Sequence, residues 1–416
     1  MENVFIYDTT LRDGMQGENI FFSPSDKLKI AKRLDESGIH YIEGGWPGSN
    51  PGAQEFFELT KKETFAQAKI AAFGSTRRQG IACENDANLA ALIESHAPVI
   101  TIFGKSWDLH VKEIMNNTEE ENLAMIEESI AYLLSHGREV FYDAEHFFDG
   151  YKENKNFALK TLEAALRGGT DTLVLCDTNG GSMPCEIESI VREVKDHFKD
   201  VSNLRIGIHT HNDCAMAVAN SVNAVHAGAS LVQGTINGYG ERCGNADLTS
   251  IIPILALKMN RQCVSKQNLN KLLNLSRFVS ETANVPPMSA RPFVGQSAFA
   301  HKGGVHVSAI MKNPRAYEHM APEEVGNERR VLVSEQSGKS NIDYKAKELG
   351  VDLGDDIQLK RQIVSNIKEM ENQGFEFDAA DGSLKLMMEK LSGKYQPQFK
   401  LESFRVSVEK DKEGPC

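Results

Sequence analysis

The chain carries no C-x-x-C pair, and its seven cysteines, at positions 83, 176, 185, 214, 243, 263 and 416, are scattered and odd in number. That excludes a zinc ribbon or a disulfide framework and points to reduced intracellular thiols. Positive charge is also short: 46 Lys and Arg face 58 Asp and Glu, a formal net charge of −12, so the clustered basic footprint of a nucleic-acid surface is missing. A small anionic ligand stays compatible with this balance if a few basic groups converge in one pocket. No apolar run approaches the ~18 residues of a membrane span. The N-terminus has no basic region followed by an apolar core, so neither membrane insertion nor secretion is expected. What remains is a cytoplasmic globular protein whose partners are small molecules.

At 416 residues the chain is too long for one ordinary domain. Short apolar or β-branched runs at 4–6, 41–45, 70–73, 99–103, 139–143, 172–175, 204–208 and 231–236 each precede a longer amphipathic pattern. Ser23-Pro24-Ser25 caps the first helix and Gly38 ends it; Pro184 opens another, at the position where its missing N–H costs nothing. Further helices are expected at 118–135, 155–167, 215–227 and 245–257. Eight strand-then-helix units, with apolar strands that need covering on both faces, indicate an α/β fold: a closed (β/α)8 TIM barrel over residues 1–260. An open doubly wound sheet is the alternative, but its G-x-G-x-x-G turn is absent from the first strand. The run Gly238-Tyr-Gly-Glu-Arg-Cys-Gly244 is one residue too long and follows the last strand. Beyond 260 the rhythm changes to a smaller, mostly helical C-terminal region, divided at about 350. Pro286-Pro287 interrupts it, 327–340 reads as extended and polar, 356–372 as helix, and 410–416 as a frayed tail.

In such a barrel the functional groups sit just after each strand, and there the unusual polar clusters fall. The first strand runs straight into Asp8-Thr-Thr-Leu-Arg-Asp-Gly-Met-Gln16, and the seventh ends in His209-Thr-His-Asn-Asp213. Two imidazoles two residues apart leave a strand on the same side. With Asp13 from a nearby strand end they offer two nitrogen ligands and one oxygen, with room for a chelating substrate. The plainer readings are surface ion pairs for Arg12 and Asp13 and a structural histidine pair. Asn245 after the last strand offers a fourth, carbonyl ligand, or caps the next helix.

These segments, with Gly238 to Ala246 and Gly304-Val-His306, resemble in order the metal-dependent enzymes that condense acyl-CoA with 2-oxoacids. That family holds the isopropylmalate, homocitrate and citramalate synthases, with HMG-CoA lyase as a relative. Tyr41 to Pro51, Phe73-Gly-Ser-Thr-Arg-Arg78 and Phe103 to His110 most resemble the citramalate synthase branch. The resemblance implies a condensation of acetyl-CoA with pyruvate followed by thioester hydrolysis, feeding isoleucine synthesis. A larger 2-oxoacid, as in isopropylmalate or homocitrate synthases, or cleavage by a lyase, is the alternative.

It further implies that Asp13, His209, His211 and Asn245 bind a divalent ion (Mn, Mg or Zn), and that Arg12 stabilises the developing oxyanion. Thr178 holds the substrate carboxylate, Glu145 serves acetyl-CoA, and Gln16 and Glu43 orient Arg12. By the same resemblance, residues 261–350 are expected to form a subdomain contributing to the active site, through His306 as base with Tyr317, reaching the partner's site in a homodimer. Where isopropylmalate synthases carry Asp two residues after that histidine, this chain has Ser308.

Residues 351–416 read as a helical linker toward a feedback-sensing domain that follows in full-length relatives, so loss of end-product inhibition is expected here. Lyases of the family carry Gly-Gly-Cys-Pro, against Glu241-Arg-Cys-Gly244 in this chain. Gly104-Lys-Ser106 and Gly338-Lys-Ser340 look like phosphate-loop tails, but Val99 and Val333 replace the first glycine. Arg77 and Arg78 are candidates for the CoA phosphates.

Overall fold

The structure, a computed structural model, describes residues 3–397 and 399–408 and the backbone of 410–411 and 414–415. The tail expected at 410–416 therefore lies largely outside the described residues. The chain divides into two compact units, Met1–Ala298 with Pro322–Glu328, and Phe299–Ala321 with Arg329–Cys416.

In the first unit the parallel strands β1 (Phe5–Asp8), β2 (Tyr41–Gly45), β3 (Lys69–Ser75), β4 (Val99–Lys105), β5 (Glu139–Glu145), β6 (Thr172–Asp177), β7 (Arg205–Thr210) and β8 (Leu231–Gly234) close into a barrel in chain order. Closure is made at β1, where Tyr7 pairs with Tyr41 on one side and with Gln233 on the other. The expected TIM barrel is thus present. Its lower interior is filled by Tyr7, Tyr41, Val99, Phe141, Val174 and Leu231, with Tyr41 and Phe141 edge to face at 5.0 Å. Above these rings the interior turns polar. The Tyr7 hydroxyl donates to Glu43 Oε2 (2.9 Å), and Gln233 Nε2 donates to Asp143 Oδ1 (3.0 Å).

The first helix, α1 (Pro24–Glu36), starts where its capping chemistry predicts: the Ser23 hydroxyl accepts from the Asp26 N–H and Pro24 occupies the first turn. The outer ring continues with α2 (Pro51–Thr60), α3 (Ala87–Glu94) and α4 (Glu119–Ser135). After β5 the single expected helix is preceded by a short one, so the pair is α5 (Phe147–Glu153) and α6 (Lys155–Gly168). A glycine permits this extra turn. A Cβ on Gly150 would stand 2.2 Å from the carbonyl oxygen of Ser106, so no other residue lets the backbones approach this closely. The helices α7 (Pro184–His197), α8 (Ala217–Ala227) and α9 (Leu248–Pro253) complete the ring. The last of these starts later than expected, because Asp247 rather than Asn245 is its cap, accepting from the Thr249 N–H. Asn245 stays in the loop, bridged to His211. The unit ends with α10 (Lys266–Leu269) and α11 (Leu272–Thr282).

The second unit is mostly helical, with α12 (Gly304–Lys312), α13 (Lys339–Glu348), α14 (Ile357–Asn372) and α15 (Asp381–Leu391). Ile342, Ile363, Ile367, Leu384 and Met388 form its core. The stretch expected as extended contributes only Arg330–Val331, paired with Ala300–His301; Gly338 then caps α13. No described helix is long and apolar enough to cross a membrane.

Candidate active site and metal centre

A cavity of about 250 Å³ opens where the strands end, lined by Arg12, Asp13, Gln16, Trp46, Phe73, Phe103, Asp143, Glu145, Cys176, Thr178, His209, His211 and Glu241. A wider depression of about 390 Å³ between α1 and α11, lined by groups such as Arg33, Glu36, Lys271 and Glu281, brings no ligating set together.

Local structure aims the first-strand loop inward. The Asp8 carboxylate accepts from the N–H (3.0 Å) and hydroxyl (2.8 Å) of Thr10. The Thr10 oxygen in turn accepts from the Ile236 N–H (2.8 Å), pinning the loop to the turn that follows β8. The turn that follows delivers Asp13 beside the histidines of β7. Ligand atoms of Asp13, His209 and His211 lie within 4.8 Å of one another, the only such cluster among the described residues. The two Nε2 atoms are 3.1 Å apart, and His209 Nε2 is 3.3 Å from Asp13 Oδ2. Asn245 joins them, its Nδ2 donating to Asp13 Oδ2 (2.7 Å).

The hydrogen bonds fix which nitrogen of His209 is available. Gln233 gives its amide N–H to Asp143, so its Oε1, 2.8 Å from His209 Nδ1, must accept the imidazole proton. Nε2 is then the nitrogen facing the cluster; against the pull of burial, the Asp13 carboxylate raises the His209 pKa and favours a proton there, which a metal would displace. Burial opposes ionisation of Asp13, but the Arg12 guanidinium and His209 outweigh it and hold the carboxyl well below its ordinary range. Burial and then neighbouring His209 push the His211 imidazole down to about 3, which keeps it neutral. An anionic carboxylate and a neutral imidazole are the states that metal ligation needs. His211 Nδ1 and Asn245 Oδ1 are buried without a partner. One carboxylate oxygen, two imidazole nitrogens and an amide oxygen, with unsatisfied buried atoms among them, suit a borderline divalent ion.

Arg12 sits against this cluster. Its Nε donates to Glu43 Oε1 (2.6 Å), its Nη1 is 3.4 Å from Asp13 Oδ1, and its guanidinium lies 3.7 Å from the centre of the Phe73 ring. Glu43, wholly buried, is held by Tyr7 from below. Gln16, expected to share this orienting role, instead stands exposed on the 3-10 turn Gly14–Gln16, lining the cavity without bonding Arg12. A strand-end glutamate points into the barrel, whereas the turn carries residue 16 past the guanidinium.

Thr178 accepts the His146 N–H at its Oγ1 (2.9 Å), which leaves its hydroxyl proton for a ligand. Glu145 is ion-paired with Lys105, a residue the sequence reading met only in a phosphate-loop lookalike. His306 and Tyr317 belong to the second unit, where their rings stack at 4.2 Å on its surface. Arg77 is not free for CoA phosphates: it is buried and bonded to Glu121 (2.8 Å) and Glu128 (2.7 Å), while Arg78 is exposed. Ser106, in the first phosphate-loop lookalike, is buried against Tyr142 and Thr161.

An apolar wall went unread in the sequence. Phe73 and Phe103 stack at 5.5 Å, and the Trp46 ring meets both edge on at 6.0 and 5.8 Å. Their position at the ends of β2, β3 and β4 was the available signal.

Comparison with known proteins agrees with this geometry. Residues 3–279 match the HMGL-like family, and 293–374 match the family described as homocitrate synthase post-HMGL domain-like. The chain is 55% identical to the (R)-citramalate synthase of Geobacter sulfurreducens over 99% of its own length and 77% of that protein. It is 51% identical to that of Aquifex aeolicus, over 98% and 77% respectively. A 2-isopropylmalate synthase of Sulfolobus acidocaldarius is 35% identical over 91% of this chain and 94% of the relative. Among solved structures, the HMG-CoA lyase of Bacillus subtilis shares the fold, with a TM-score of 0.57 at 22% identity, covering 69% of this chain and 95% of the lyase. A carboxylate and two histidines at a closed barrel's mouth, together with these relatives, show that the chain belongs to the (R)-citramalate synthase family of HMGL-like, metal-dependent acyltransferases.

Proposed function

We propose that the barrel mouth joins the methyl carbon of acetyl-CoA to the keto carbon of pyruvate, and that thioester hydrolysis then releases citramalate and CoA. The observation that carries this reading is the juxtaposition of the Asp13–His209–His211 cluster and Arg12 with the Trp46–Phe73–Phe103 wall in one small cavity. A divalent ion held by Asp13, His209, His211 and Asn245 would supply Lewis-acid polarisation of a chelated 2-oxoacid.

The remaining work falls to the chain's own groups. Thr178 donates its hydroxyl proton to the oxoacid carboxylate, and the aromatic wall takes the methyl group. As the methyl carbon of acetyl-CoA, having lost a proton to the base, bonds to the keto carbon, negative charge gathers on the keto oxygen. Arg12, held in place by Glu43, stabilises that charge. Glu145, its charge balanced by Lys105, is assigned to the thioester end. Water then attacks the thioester carbon, and CoA leaves as its thiol. The base is assigned to His306 with Tyr317, acting in trans within a cytoplasmic homodimer; their exposed stacked rings support that assignment.

Two measurements test the reading. In a CoA-release assay across a panel of 2-oxoacids, pyruvate is preferred. Phe103→Ala, by widening the wall, raises the relative efficiency for 2-oxobutyrate by about tenfold, the scale of one methylene in an apolar pocket. Preference for 2-oxoisovalerate in the unaltered chain would refute the substrate assignment. For the base, mixing inactive His306→Ala with inactive Arg12→Ala protein should restore about a quarter of the native rate, because half of randomly assorted dimers carry one intact site. Mixtures that stay inactive while exchanging subunits would refute action in trans.

A further inference from the structure

The loop after β8 holds an arginine that none of the assignments above uses. Arg242 reaches two neighbouring loops as well as its own. Its Nε and Nη2 grip the Asp213 carboxylate at 2.8 and 3.1 Å, Nη2 also donates to the carbonyl oxygen of Thr178 (2.7 Å), and Nη1 bonds the carboxylate of Glu241. Asp213 follows the metal-ligating histidines on the β7 loop, Thr178 heads the β6 loop, and Glu241 lines the cavity. One planar guanidinium thus ties the ends of three successive strands together, which a point charge on a flexible stem cannot do.

The surrounding backbone is shaped for this arrangement. Arg242 has φ of 53°, in the left-handed region that side chains other than glycine rarely adopt. Between the tied loops, a Cβ on Gly180 would stand 2.5 Å from Asp213 Oδ2, so the β6 and β7 loops already touch there. The remaining link is direct: the Asn212 N–H donates to the carbonyl oxygen of Gly244 (2.8 Å).

We infer that Arg242 is a positioning residue that sets the Thr178 hydroxyl for the oxoacid carboxylate by clamping the β6, β7 and β8 loops through Thr178 O, Asp213 and Glu241. Thr178 is fixed from both sides, since its carbonyl is held by Arg242 and its hydroxyl oxygen by the His146 N–H. Loss of the clamp lets the hydroxyl wander without touching the metal ligands. The inference rests on the assignment of Thr178 to the oxoacid carboxylate.

The test is calorimetric titration of pyruvate into the Mn²⁺-loaded chain, with metal affinity and melting temperature measured in parallel. Arg242→Ala is expected to weaken pyruvate binding about ten- to a hundredfold, the scale of a misplaced positioning group, while metal affinity and melting temperature hold. Arg242→Lys, which keeps charge and stem, recovers only part of the loss; if Arg242→Ala does not fold, this variant carries the test. In a double-mutant cycle with Asp213→Ala, the double variant binds pyruvate no worse than Arg242→Ala alone. An unchanged pyruvate Kd in Arg242→Lys, or additive losses in the cycle, would overturn the clamp. Thr178→Val separates the two levels. If it leaves pyruvate binding unchanged, the carboxylate assignment itself has failed; if it weakens binding while Arg242→Lys does not, only the clamp has failed.

Discussion

Replacing Asp13 by Ala is expected to abolish metal-dependent turnover, lowering kcat by at least about a thousandfold, and to reduce Mn²⁺ affinity by a similar or larger factor while the barrel stays folded. The size of the effect follows from what Asp13 holds together. It is the sole anionic group of the cluster, it lies 3.3 Å from His209 Nε2, and it accepts from Asn245. Without it the site loses its only negative ligand, and Asn245 loses its partner. The fold does not depend on the carboxylate, because the barrel is closed beneath it by the Tyr7 pairings and the aromatic layer. Titration of Mn²⁺, CoA release and far-ultraviolet circular dichroism measure the three quantities. A folded Asp13→Ala protein that keeps native turnover in the presence of chelator would remove the metal centre altogether.

Arg12→Ala is expected to cost about 10²- to 10³-fold in kcat, the range for removing one preorganised donor to a developing oxyanion. Acetyl-CoA KM should change little, since the loss falls on charge that appears only during bond formation. Arg12 is preorganised by contacts that cannot easily relax: Glu43 holds its Nε, and Phe73 lies flat beneath the guanidinium. Glu43→Gln tests that support separately. It removes the charge opposite Arg12 while keeping most of the shape, so a kcat loss smaller than that of Arg12→Ala is expected. If Arg12→Ala raised pyruvate KM with kcat untouched, the residue would be a binding group only.

How far the sequence carried can be seen at individual residues. Asp13, His209 and His211 were legible because charged and imidazole groups at the ends of buried strands have few structural uses, and a closed barrel has one face where strands end. Glu43 was legible for the same reason. Gln16 was not, because its direction depends on a turn set by the bonds of Thr9, Thr10 and Ile236. Arg77 looked available in the sequence, and only the packing of α4 brought Glu121 and Glu128 onto it.

The alternation of strands and helices, the closed barrel and the candidate metal ligands Asp13, His209 and His211 were legible in the sequence alone, because they follow from local periodicity and from residue types that are costly to bury without purpose. Tertiary structure decided the rest: that Trp46, Phe73 and Phe103 meet as one wall, that Gln233 fixes the tautomer of His209, and that Arg242 spans three loops. Each of those depends on side chains from separate strands meeting at distances of a few ångströms, and linear spacing carries no information about such meetings.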